Sequence, residues 1–315
     1  MGMYRLGDIM RMTRKSLSIT QEQLSEGICS VETLSRIETG KQNPSKDTYE
    51  LLMERMGRIH ERAYSMLSVS DIKVLEKMKL FEDHIKLYDY EQAEIVLYDL
   101  KEIIGDSILD KQFLIRAVNL VNYRLHRISV DAFLNGLEDA IRLTIPEYGK
   151  ISLANWPLSM NEAGLLINIS SAYGEKGDYN KANEILEEAY SALKQSYMDD
   201  LQRAILITIV INNLSKNLGL IGNHTRAIEL AKEGVSISKT YRIGNVLSNM
   251  LYNIAWNLEQ LIKKGLLPPE NKQKSFNYLK QAYYIASAMQ QPFIEQFLES
   301  HLKTNYVKEI NREII

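Results

Sequence analysis

Helix breakers are scarce in this chain. Its 315 residues hold only 6 prolines and 16 glycines. The stretches between them are rich in Ile and in Leu, Glu, Lys and Ala, the last four of which lose little side-chain freedom in a helix. Such a sequence predicts an all-α fold. Hydrophobic residues make up 45% and charged residues 25%, enough apolar mass for a packed core and too much for a disordered chain. The most apolar run, Ala204–Ile211, is far short of the roughly 20 residues that span a bilayer. The start, MGMYRLGDIM, lacks an apolar stretch behind a basic one. The single cysteine, Cys29, allows no internal disulfide. These features predict a cytoplasmic protein without a membrane partner.

The formal net charge is −2, so any nucleic-acid contact must come from a local patch. Residues 1–68 carry 10 Lys and Arg against 9 Asp and Glu, and the remainder 28 against 31. Charge alone does not single out a DNA-binding part, but pattern does. Leu6, Ile9, Met10 and Met12 repeat at helical spacing. Thr20 with Gln23 forms a capping box for a short helix that stops at Gly27. Ser30 caps a second short helix with Val31, Leu34 and Ile37 inward, and Thr33 stands where a longer box partner would reach back. Gly40 closes that helix and Pro44-Ser45 opens the next. Tyr49, Leu52, Met53 and Met56, then Ile59, Ala63, Tyr64 and Leu67, predict two more helices.

Two short helices joined by a tight turn form a helix-turn-helix. The run Thr20-Gln21-Glu22-Gln23-Leu24-Ser25, then Thr33-Leu34-Ser35-Arg36-Ile37-Glu38-Thr39-Gly40 and Pro44, resembles the Cro/repressor type. The turn holding Ile28 and Cys29 is one residue shorter than the commonest version, as in PlcR-like regulators. By position, Gln21 would meet a phosphate. Ser30, Glu32, Thr33 and Arg36 would face the major groove, where Arg36 suits guanine edges and Glu32 a cytosine amine. Arg14 and Lys41 are candidate phosphate contacts. Glu38 is expected to pair inside the domain, and Cys29 to be a small turn residue rather than a redox sensor.

Ser68 to Asp71 offers a helix start and a boundary, giving a DNA-binding domain at 1–68 and a repeat domain at 69–315. In the stretch NISSAYGEKGDYNKANEILEEAY, Ser170, Tyr173, Gly177-Asp178-Tyr179, Ala182 and Ala189 occupy positions 8, 11, 15–17, 20 and 27 of a 34-residue TPR unit. Weaker units place Ala93, Phe133, Ala227 and Ser275 at position 20, so these residues follow one another at intervals of 40, 49, 45 and 48. About five helix pairs in a right-handed α-solenoid with a concave face are predicted. On the inner helix of four repeats, position 6 is Asn119, Asn168, Asn213 and Asn253. Asn is a poor helix former. Either these amides bond the neighbouring helix, or they form a ladder that reads the main chain of an extended peptide. Neighbouring inner positions hold Asn122, Asn212, Lys216, Asn249, Tyr252, Trp256 and Glu259. Lys216 suits a peptide carboxylate. Tyr252 and Trp256, one turn apart, suit an apolar pocket, unless Trp256 packs between repeats.

A Cro-type helix-turn-helix followed by degenerate TPR pairs resembles the RRNPP family of PlcR- and PrgX-like peptide-responsive regulators. The resemblance implies a homodimeric transcription factor reading double-stranded DNA at two half-sites. It also implies a short linear quorum-sensing peptide on the concave face that alters DNA binding allosterically. The alternatives are a peptide-independent repressor or a DNA-anchored scaffold for a protein partner. His60, His84, His126, His224 and His301 show no metal spacing, and there is no Gly-rich phosphate loop. No enzyme and no cofactor are expected. His126 and His224 are expected at the surface. The C-terminal stripe Phe293, Phe297, Leu298, Leu302, Tyr306 and Ile310 predicts a helix that caps the solenoid or mediates self-association.

Overall fold

Turn chemistry sets the element boundaries. Gly177 takes φ +82°, a conformation cheap only for glycine, and Asp178 Oδ1 then accepts the Lys181 N–H at 3.0 Å. The same device of a left-handed residue followed by a capping side chain recurs at Tyr88 and Asp89, and at His126 and Ser129. Each lets a helix stop and its partner start within a few residues.

The computed structural model describes residues 6–57, 69–196, 198, 200–307 and 309. Among them the chain forms fifteen helices. The first four are α1 (Leu6–Ser16), α2 (Gln21–Ser25), α3 (Val31–Glu38) and α4 (Lys46–Arg55). Five pairs follow: α5 (Val69–Lys86) with α6 (Tyr90–Ile103), α7 (Ile108–Arg124) with α8 (Val130–Arg142), α9 (Met160–Glu175) with α10 (Tyr179–Gln195), α11 (Asp200–Leu220) with α12 (His224–Tyr241), and α13 (Leu247–Lys263) with α14 (Asn271–Ala288). The last is α15 (Pro292–Asn305). The expected helix around Ile59, Ala63, Tyr64 and Leu67, the cap at Ser68, and Ile310 lie outside the described residues. No helix among the described residues is long and apolar enough to cross a membrane.

Packing divides the chain into two compact units, residues 1–172 with 191–199, and 173–190 with 200–315. In the first, Met10, Ile19, Leu24, Leu34, Ile37, Leu52, Met53 and Met56 form the helix-turn-helix core. Helices α1 and α3 approach closely at Gly7, where a Cβ would fall 1.9 Å from the Ile37 carbonyl oxygen. A separate cluster around Phe81, Ala93, Leu97, Phe113 and Val121 joins α5, α6 and α7. In the second unit, Leu251, Phe276, Leu279, Leu298, Leu302 and Tyr306 lock α13, α14 and α15 together. All five position-20 residues are at most 1% exposed, so the repeat register read from spacing is the register of packing. The helix-turn-helix followed by helical repeats is as expected. The pairs run longer than 34 residues because the helices themselves are long, and because residues 143–159 add an irregular segment between α8 and α9.

Candidate functional site

The two caps expected around the turn both form. Thr20 Oγ1 accepts the Gln23 N–H at 3.2 Å while Gln23 Oε1 accepts the Thr20 N–H at 2.8 Å. Ser30 Oγ accepts the Thr33 N–H at 3.1 Å. With Leu34 and Ile37 buried, α3 turns Ser30, Glu32 and Arg36 to solvent, Thr33 is half-buried beside Ser30, and Lys41 is exposed just beyond the helix. Hydrogen bonds from its own backbone and from Ser30 hold the Glu32 carboxyl below the usual carboxylate range. It is therefore an ionised acceptor at neutral pH.

Arg14 and Gln21 stand differently. Arg14 is 8% exposed. Its Nε and Nη2 donate to the two Glu38 carboxylate oxygens at 2.5 and 2.8 Å, and Nη1 donates to the Ile19 carbonyl at 2.7 Å. Gln21 Nε2 donates to Glu38 Oε2 at 2.8 Å. The expectation of Arg14 as a phosphate contact is therefore corrected: its guanidinium is consumed inside the domain. Gln21 is half-buried and donates one of its two amide N–H groups to Glu38, which leaves the second N–H and its oxygen for other partners. Glu38 does pair within the domain. Cys29 is half-buried, and burial pushes its thiol up, which suits a turn residue rather than a reactive one.

In the first unit the inner amides have neighbours. Asn119 Nδ2 donates to the Ile115 carbonyl of its own helix at 2.8 Å. Its amide also fills the space at Gly136 on α8, where a Cβ would fall 2.4 Å from Oδ1. Asn168 Oδ1 accepts the Arg116 Nε–H at 2.9 Å, and Arg116 Nη1 donates to Glu82 at 2.9 Å. The guanidinium lies 3.4 Å from where a Cβ on Gly164 would sit. One cation thus joins α5, α7 and α9. Asn122 lies apart from these, beside a small cleft with Glu94, Tyr98 and Lys101.

In the second unit Asn253 Nδ2 donates to the Asn212 carbonyl and to its Oδ1, both at 3.2 Å. Asn212 Nδ2 lies 3.4 Å from Asn213 Oδ1. The Asn253 bonds reach a neighbouring helix, as the first reading of the ladder requires, whereas the Asn212–Asn213 contact lies within α11. Asn249 is half-buried, with Oδ1 3.3 Å from Ser248 Oγ, and Lys216 is exposed. Tyr252 and Trp256 do not face one neighbour. Tyr252 meets Phe297 and His301 of α15 edge-on at 5.0 and 5.6 Å. Trp256 packs on Gly219 and on the His224 ring at 6.0 Å. His224 is 5% exposed, and its Nδ1 is 2.9 Å from Asn257 Oδ1, so the expectation of a surface histidine is corrected. His126 is exposed as expected. Glu259 serves the C-terminal helix: His301 Nε2 lies 3.0 Å from it and the Tyr306 hydroxyl donates to it at 2.6 Å. Leu298, Leu302 and Tyr306 are buried by α15, which therefore covers the last pair, while Phe293 and Phe297 stay exposed.

Residues 10–63 match the helix-turn-helix family model. No curated protein matches the sequence. Among solved structures, the chain is similar to PlcR of Bacillus thuringiensis in complex with the peptide PapR7 and DNA. That likeness has 17% identity and a TM-score of 0.63, and covers 93% of this chain and 98% of that one. The apo form of PlcR aligns over 94% and 98% with a TM-score of 0.56, again at 17% identity. ComR from S. thermophilus, in complex with DNA and its signalling peptide ComS, aligns over 94% and 98% at 14% identity with a TM-score of 0.51. At these identities the likeness is one of fold, and it spans nearly the whole of each chain.

Three positions escaped the sequence reading. Arg11 and Lys15 are exposed on the last turns of α1 and line an open groove with Thr20, Gln21 and Ser35. Their helical phase, opposite Met10, was a usable signal. Arg116 carried none, because its partners Glu82 and Asn168 are 34 and 52 residues away.

Proposed function

We propose that this chain is a cytoplasmic, homodimeric transcriptional regulator whose helix-turn-helix reads double-stranded DNA and whose repeats take up a short linear signal peptide that changes DNA binding. We take residues 1–68 as the reading domain and 69–315 as the sensing and dimerising domain. The observation that carries this reading is the near-full-length fold likeness to a regulator crystallised with both a peptide and DNA. The outward set Ser30, Glu32, Thr33, Arg36 and Lys41 supports it on the DNA side, with Arg11 and Lys15 added for phosphate. On the peptide side each unit offers its own candidates: Asn119, Asn168 and the Arg116 cation in the first, and Asn213, Asn249 and Lys216 in the second.

The peptide can act only by binding one arrangement of the dimer better than another. Two reading heads must match half-sites about one helical turn apart, or a multiple of it. A shift in their relative placement therefore changes affinity without any peptide–DNA contact. The test is fluorescence anisotropy on promoter DNA with and without short peptides from secreted reading frames beside the gene, paired with isothermal titration. Binding of a peptide together with a change in DNA affinity or complex size is the expected result. Full-strength DNA binding that no such peptide alters overturns it.

A further inference from the structure

The helix-turn-helix does not stand clear of the repeats. The segment between α8 and α9 runs over residues 143–159, longer than most helix–helix joins. Leu153, Trp156 and Leu158 are buried within it. Trp156 packs against the helix-turn-helix turn, where a Cβ on Gly27 would lie 3.3 Å from its ring. The Arg55 guanidinium stands 5.2 Å from the Trp156 ring centroid, and its Nη1 donates to the Leu24 and Glu26 carbonyls. Next to Arg55, Glu54 is 3% exposed and meets Ser159, the Asn161 N–H and the charge of Glu162, itself 3% exposed.

This contact is unlike a core. Glu54 Oε1 and Trp156 Nε1 are buried without hydrogen-bond partners. Two buried carboxyl groups lie in the field of one buried guanidinium, which cannot neutralise both, so one of them is held protonated. We infer that the contact between α4 and residues 153–162 is a proton-linked latch that holds the reading domain against the repeats. The titratable groups facing Glu54 are Glu162 on α9 and Arg55 on α4, with Glu26 and the Cys29 thiol beyond Arg55. Among the described residues, α7, which also packs on α4, adds no charge to that set.

Burial first, and Glu162 second, push the Glu54 carboxyl up to about 8. The docked form keeps its proton until then, whereas an undocked Glu54 releases it near 4.5. Docking is therefore full below 4.5, weakens up to about tenfold per pH unit above it, and levels off above 8. Six residues after Glu162, α9 carries Asn168, bonded to Arg116. A ligand that displaces α9 there also displaces the latch.

The test labels the full chain with 5-fluorotryptophan. Its two tryptophans give two fluorine resonances, assigned with Trp256→Phe. The Trp156 resonance is expected to move between about pH 5 and about pH 9 while helix content stays constant, as linkage requires. In Glu54→Gln it stays at its low-pH position throughout. Should that variant misfold, Glu162→Gln removes the repulsion but not the burial, and is expected to move the titration of the Trp156 resonance to lower pH. A Trp156 signal that does not move with pH, or one that moves equally in the foldable variant, overturns the latch. Neither DNA nor peptide enters the measurement, so its failure leaves the proposed function standing.

Discussion

Two arginines a helix apart have opposite fates. Arg36 is exposed on α3, and Arg14 is sealed against Glu38. Arg36→Ala is expected to lower DNA affinity by a factor of about 10 to 100 without changing the melting temperature, since a good base contact is worth roughly 1–3 kcal/mol. Arg14→Met is expected to cost about 3 kcal/mol of domain stability by stranding a buried carboxylate. Anisotropy and thermal melts separate the two effects. The same pair sets an acid limit. Burial raises the Glu38 carboxyl, but hydrogen bonds from Arg14 and Gln21 outweigh it and leave the group below its ordinary 4.5. A lowered carboxyl stabilises the fold above 4.5, and that stability is lost as pH falls through the lowered value. Circular dichroism of Glu38→Gln against the parent should therefore show the gap in stability closing as pH falls below 4.5.

Helix-level packing rests on close approaches that tolerate no added volume. Gly7→Ala would drive a methyl group into the Ile37 backbone. A drop in unfolding free energy of about 2 kcal/mol or more is expected in urea titration, and an unchanged midpoint would refute the α1–α3 contact. At the other end, the Tyr306 hydroxyl donates to Glu259 and lies 2.8 Å from Ser275 Oγ. Tyr306→Phe removes one hydrogen bond from each partner, leaving Glu259 with His301 and Ser275 with the Ala255 carbonyl, and is expected to cost about 1 kcal/mol. Faster amide exchange confined to α15 would show that the loss lies in the cap. The position-6 asparagines belong to this scale too. Asn253 and Asn119 bind helices first, and only their remaining polar capacity is left for a ligand.

For the whole molecule, the informative variant is Arg116→Ala. It removes the link between Glu82 on α5 and Asn168 on α9. Peptide affinity is expected to fall about tenfold, a loss of about 1.4 kcal/mol of binding, while DNA affinity without peptide stays unchanged. Equal losses in both would point to general unfolding instead. Local rules made much of the architecture readable beforehand. The capping box at Thr20, the N-cap at Ser30, the left-handed Gly177, and the buried residues at position 20 each act over one or two turns, so neighbouring letters suffice to specify them. The outward face of α3 followed from the same periodicity, and Ser30, Glu32 and Arg36 stand where it put them. Long-range partners were decided only in three dimensions. Arg14 lost its phosphate role to Glu38, His224 was drawn inward by Asn257, Tyr252 was taken up by α15, and Glu54 met Glu162 across 108 positions of sequence. A side chain's free valences depend on which distant segment folds against it, and periodicity carries no record of that.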